Sequence, residues 1–192
     1  MVNVKELQSK PIPEIIRILG ILENEDVATV DLTKLVYTLK VSVLSHNFDE
    51  TPTAGEKIIC AFITNNKGNS CIFYSNDLPH NIARIAIVLA FAKYIITGNN
   101  NFFVTQSTKI SEREKMLTDE MLMPESRVKD VICKLILPST DVLSEIFQVP
   151  EKFVKYRLDE IGIKTRIQGY NRPPITQNEL MIMGLAEMGF FE

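Results

Sequence analysis

Apolar positions along the chain fall into blocks whose spacing changes from helical to alternating and back. Pro11 and Pro13 lead into Ile15, Ile16, Ile18, Leu19 and Leu22, which predicts a helix with proline in its first turn. Asp31 stands as an N-cap before Leu32, Leu35, Val36 and Leu39, spaced i, i+3, i+4, i+7 along a second helix. Val41 and Val43 read as extended and suit a sheet edge, and residues 47–56, with Pro52 and Gly55, read as loop. Residues 58–64 and 69–74 are rich in β-branched and aromatic side chains. They flank Asn65-Asn66-Lys67-Gly68, so the pattern predicts a β-hairpin. Residues 81–97 are apolar on almost every side and close on Gly98; a helix without a polar face belongs at the centre of a fold. Residues 99–107 read as loop, and helices are predicted over 111–123, ending at Pro124, and over 126–137. Beyond Pro138 and Ser139, residues 141–163 predict two short helices joined by a tight turn. Residues 175–191 carry a stripe of Leu180, Met181, Ile182, Met183, Leu185, Met188, Phe190 and Phe191, which suits either core or an adaptable partner surface.

The balance of the 192 residues narrows the classes of function. Hydrophobic residues make up 45% and charged residues 23%, an ordinary globular mixture that argues against disorder. The net charge is −3, and neither residues 1–110, with 10 bases and 10 acids, nor residues 111–192, with 11 and 14, form a polybasic module. No signal-peptide core follows Met1, and the most apolar stretch, residues 85–92, is too short to span a bilayer, so a cytoplasmic protein without membrane contact is expected. Cys60, Cys71 and Cys133 form no CxxC pair and read as reduced thiols. The chain has only two histidines, His46 and His80, which excludes a metal site built on several imidazoles.

Glu120-Met121-Leu122-Met123-Pro124-Glu125 resembles the "AELLMPE" motif of the ImmA/IrrE family of small zinc metallopeptidases, which act on repressor proteins of bacteria and mobile elements. Arg84-Ile85-Ala86-Ile87, followed by Tyr94-Ile95-Ile96, is similar to the frame "RFTLAHELGHYLL" around that family's HExxH. The resemblance covers roughly residues 27–163. It implies an α+β fold: a mostly helical zincin-like core with a small antiparallel sheet over residues 1–137, then a helix-turn-helix-like region over 138–192.

What the resemblance implies for the metal site is a loss. A zincin needs two histidines at i and i+4 to meet one ion, and a glutamate beside the first to take a proton from the bound water. In the matching register those positions are Leu89, Ala90 and Lys93. The third ligand, a glutamate near an "ExxAN" pattern, falls at Ser111 or Arg113, with Glu112 and Glu114 one residue away. One carboxylate without imidazole or thiolate partners does not hold catalytic zinc. The expectation is a pseudoenzyme with no catalytic residues, no metal and no cofactor. Lys93 raises a sharper expectation, that its ammonium stands in for the metal by pairing with Glu112 or Glu114; the plainer reading is a lysine snorkelling to solvent. Neither histidine has a Cys, Asp or Glu at ligand-like spacing, and no GxSxG or cysteine–histidine neighbour offers a nucleophile.

Residues 141–158 have a helix-turn-helix cadence and resemble the "LAxxFGVSxxAVRxRLxxLG" segment that follows the peptidase core in the same family, with Gln148 where the pattern often has glycine. If the second helix met DNA, Lys152, Lys155 and Arg157 would contact phosphates. From 151 to 167 the surplus is five bases over three acids, so a protein-facing or packing role is favoured. The leading expectation is therefore a protein-binding regulatory factor of a bacterial mobile element or phage. Its partner would be a repressor or another regulator, held in the groove between the hairpin's edge strand and the central helix. The alternatives are a DNA-binding regulator acting through 141–163 and an active peptidase with an unrecognised metal site. Self-association is left open.

Overall fold

Capping chemistry sets where the first helices start and stop. In the computed structural model, which describes residues 2–22, 31–48, 59–66, 69–105, 108–135 and 139–163, Asn3 accepts from the Lys5 amide to open α1 (Val4–Leu7). Pro11 and Pro13 fix the entry to α2 (Ile12–Ile18), which buries Ile12, Ile15 and Ile16. Asp31 accepts from the Thr33 amide at 2.8 Å to cap α3 (Leu32–Leu39). Leu35 and Leu39 of α3 face the core, and Lys40, in the left-handed region at φ 53°, turns the chain into the first strand.

Four strands follow the expected positions with one addition. They are β1 (Val41–His46), β2 (Ile59–Asn66), β3 (Asn69–Ser75) and β4 (Phe102–Thr105), in the order β1-β3-β2-β4. β2 and β3 form the predicted antiparallel hairpin, and β1 lies at an edge as its valines suggest. Two expectations are corrected. The sheet is mixed, because β1 runs parallel to β3 while β2 is antiparallel to both β3 and β4. Residues 99–107 are not all loop: Phe102–Thr105 pairs with β2, its four β-favouring residues masked in sequence by the three asparagines before them. Residues 49–56 of the loop expected over 47–56, and Ile58 of the strand expected over 58–64, lie outside the described residues.

Between β3 and β4 runs α4 (His80–Thr97), which ends on Gly98 at φ 66°. It is buried without a break from Ile82 to Ala92. The inner face of the sheet, with Ala61, Ile63, Ile72 and Val104, contributes to the same core. By length and composition α4 reaches what a membrane crossing needs, which the eight residues 85–92 alone do not, yet most of it is enclosed by the protein. Then come α5 (Glu112–Leu122), α6 (Glu125–Lys134), α7 (Thr140–Phe147) and α8 (Glu151–Glu160), so the described fold is α+β with eight helices. Leu143, Phe147, Val149, Phe153, Val154 and Leu158 of the last helix pair join the same core as α4 and α5. The boundary expected between 137 and 138 falls outside the described residues, as does the stripe at 180–191.

Candidate functional site

Leu89 and Ala90, at the positions expected for a first ligand and a general base, are fully buried among core side chains. Lys93 comes one turn later, half-buried where α4 approaches the chain entering α5. Its Nζ donates to the Lys109 carbonyl at 3.5 Å and lies 5.4 Å from the centre of the Phe102 ring. The ion pair expected with Glu112 or Glu114 is not formed. Glu114 is buried and engaged locally: its Oε2 accepts from the Ser111 amide at 2.6 Å and hydroxyl at 2.9 Å, while Ser111 Oγ accepts from the Glu114 amide. This reciprocal capping box satisfies the start of α5 and occupies the carboxylate. Glu112 is exposed, and Arg113 turns the other way, its Nη2 donating to the Lys10 carbonyl at 2.5 Å.

The structure thus brings Lys93 against the approach to α5 and joins Ser111 to Glu114, but it does not gather the five positions into one polar site. Among the described residues, no group of three or more His, Cys, Asp or Glu is placed to hold a metal ion. His46 packs edge-on to Phe48 and Phe73, and His80 faces the Gln148 side chain at 3.5 Å. Burial pushes the Cys60 thiol up to about 11 and raises that of Cys71 as well, which disfavours both thiolates.

The helix pair corrects a second expectation. Arg157 does not face solvent: it is 4% exposed and points into the junction of α8 with α5. Its Nε donates to the Met123 carbonyl at 3.0 Å, and its two terminal nitrogens form ion pairs with Glu120 and Glu160. Burial works against its charge, but Glu120, Glu160 and Asp119 outweigh that cost and raise its pKa. Lys155 leans toward Glu151 at 3.8 Å, and Lys152 is half-buried. Of three residues expected to meet phosphate, the one with a guanidinium fork is spent inside the fold.

Sequence reasoning missed the residue beside it. Asp119 is fully buried in α5; its Oδ2 accepts from the Tyr156 hydroxyl at 2.8 Å, and its Oδ1 has no hydrogen-bond partner among the described residues. Burial, reinforced by Glu160, pushes the carboxyl up to about 7, against the opposing pull of Tyr156, Arg157 and Lys115. Burial and the neighbouring Asp119 also raise the Tyr156 phenol, keeping it a donor. Lys115 Nζ sits 5.0 Å from the Tyr156 ring centre, closing the cluster on its outer side. A carboxylate between Leu117 and Met121, where the "AELLMPE" motif has alanine, was the available signal.

No protein-family model, no curated protein and no solved structure matches this chain.

Proposed function

We propose that this chain is a metallopeptidase-like protein of the ImmA/IrrE type that lacks its metal ligands and acts by binding another protein. The partner would be a repressor or other regulator of a bacterial mobile element or phage, met in the cytoplasm. One observation carries the reading. At the three α4 positions where a ligand, a base and a second ligand would stand, Leu89 and Ala90 are sealed in the core and the Lys93 amine is bound to a carbonyl. Such a site has neither a Lewis acid nor a base with which to attack a peptide.

The segment that carries the resemblance has a structural task that would outlast the loss of zinc. Glu120 and the Met123 carbonyl hold Arg157, so the end of α5 serves as the seat for α8. A peptide groove beside the hairpin no longer describes the binding surface, because β2 and β3 are both interior strands. The sheet edges belong to β1 and β4, whose outward Leu44 and Phe103 are 51% and 45% exposed. An edge strand can accept an extended segment by main-chain pairing without any chemistry following.

The test is to recover partners on the full-length chain from its own cell and rebuild the complex from purified components. The expected result is a complex in which the partner keeps its full length and the chain carries no stoichiometric zinc. A partner cut during incubation, or one zinc ion per chain, would return the protein to the active peptidases.

A further inference from the structure

The junction of α5 with α8 holds more carboxyls than it has cations and protons to serve them. Asp119, Glu120 and Glu160 meet there with two positive groups, Arg157 and Lys115. Tyr156 Oη lies 2.8 Å from Asp119 Oδ2 and 3.3 Å from Glu160 Oε1, yet a phenol has a single proton to donate. With Asp119 ionised, one of those two carboxylates goes without that proton, and the negative charge spreads onto an Oδ1 that has no partner among the described residues. With Asp119 neutral, protons and charges both balance. Its carboxyl O–H donates to the phenol oxygen, the phenol O–H donates to Glu160, and two negative groups face two positive ones.

We propose that a proton on Asp119 latches α8 onto α5, so that acidification tightens this contact and loss of the proton lets α8 open. An opened helix wets Asp119 and returns it to the ordinary carboxyl range, so the closed state holds the proton more tightly. Burial pushing the carboxyl up to about 7, from 3.8, agrees with this direction. Opening therefore grows as pH rises above 3.8 and levels off beyond about 7. The helices packed around the junction bring Asp119 no further charge among the described residues. On α4, Lys93 is held at the Lys109 carbonyl, His80 faces Gln148 and Arg84 feels Asp31. On α2, Glu14 pairs with Lys10 and Arg17 is exposed, as are Asp141 and Glu145 of α7. Opening α8 uncovers Phe153, Val154 and Leu158, so the latch sets when that apolar face is accessible. It involves neither a partner protein nor the sheet edges.

The experiment follows hydrogen exchange of the full chain from pH 5 to 8, each rate divided by the intrinsic rate at that pH. The Asp119 side-chain carbon is titrated by NMR in parallel. Amides of α8 are expected to exchange faster than those of α4, and their protection should fall about tenfold or more from pH 5 to 7, then level off. In Asp119→Asn, which mimics the neutral carboxyl, that fall should be absent. In Glu160→Gln, which removes the like charge, levelling off should move to lower pH. Exchange of α8 in step with α4, an equal fall in Asp119→Asn, or an Asp119 carbon already that of a carboxylate at pH 5 would each overturn the latch.

Discussion

The Tyr156 hydroxyl of α8 donates to Asp119 Oδ2 of α5 at 2.8 Å, and among the described residues it is the one hydrogen bond this fully buried carboxyl receives. Removing a single donor from a buried acceptor costs more than the bond itself contributes, because the acceptor is left dry and unpaired. Tyr156→Phe is therefore expected to destabilise the fold by about 1–3 kcal/mol in urea unfolding. Replacing both residues, Tyr156→Phe with Asp119→Ala, should recover most of that loss, since no orphaned carboxyl remains. Additive losses in the double variant would mean the two side chains do not act as a pair.

The same carboxyl gives stability a particular dependence on pH. Burial holds Asp119 at about 7, above its ordinary value of 3.8, so the folded chain binds this proton more tightly than the unfolded chain does. Its favourable contribution is complete below pH 3.8 and is lost as pH rises to about 7, beyond which it stays constant. Each unit of difference corresponds to about 1.4 kcal/mol. Unfolding free energies measured from pH 4 to 8 should fall more steeply for the native chain than for Asp119→Asn. The contrast between the two slopes is the readout, since exposed Glu125 and Asp141, with lowered values, pull the other way in both proteins. Parallel slopes would show that Asp119 titrates as an ordinary carboxyl.

Much of the scaffold is legible in the sequence because its signals are local. The Asp31 cap, the apolar block closed by Gly98, the asparagine-rich hairpin and the Ser111 N-terminus all appear where the residues place them. What failed depended on contacts distant in sequence. β4 is four residues long and exists through pairing with β2, and the parallel alignment of β1 with β3 has no local signature at all. Lys93, Glu114 and Arg157 were expected in charged roles facing solvent or one another. Each instead found a nearer partner: a carbonyl, an N-cap and a pair of partly exposed carboxylates. Asp119 was passed over because a single acidic residue in a helix reads as part of a polar face until its burial is known.

Gln148 closes α7 in the left-handed region, at φ 54° and ψ 45°, the conformation in which a Cβ crowds the following carbonyl. The helix pair thus keeps the turn geometry that glycine serves best while using a residue that strains in it. Its side chain recovers only a 3.5 Å contact with His80. Gln148→Gly is expected to raise unfolding free energy by about 0.5–1 kcal/mol, after the entropy that glycine adds to the unfolded chain is counted. A loss of stability would instead assign real weight to the His80 contact, which His80→Ala would then reproduce.

Arg157 separates a structural helix pair from a DNA reader most sharply. Were α8 a reading helix, Arg157→Ala would weaken binding to any duplex at low salt and leave unfolding almost unchanged. Its burial predicts the reverse. Truncation removes a buried guanidinium from the Met123 carbonyl and from partly solvated Glu120 and Glu160, at a cost of about 1–3 kcal/mol. Hydrogen exchange should show α8 losing protection before α4, because the guanidinium fork is one of the two polar ties, with Tyr156–Asp119, that hold α8 to α5. Arg157→Lys should recover only part of the loss, since one ammonium cannot hold three acceptors set in a fork. Duplex binding, measured by gel shift at low salt, should be absent in the native chain and unchanged by the substitution. A salt-sensitive shift that Arg157→Ala abolishes without loss of stability would show that the guanidinium leaves its seat and that α8 reads nucleic acid after all.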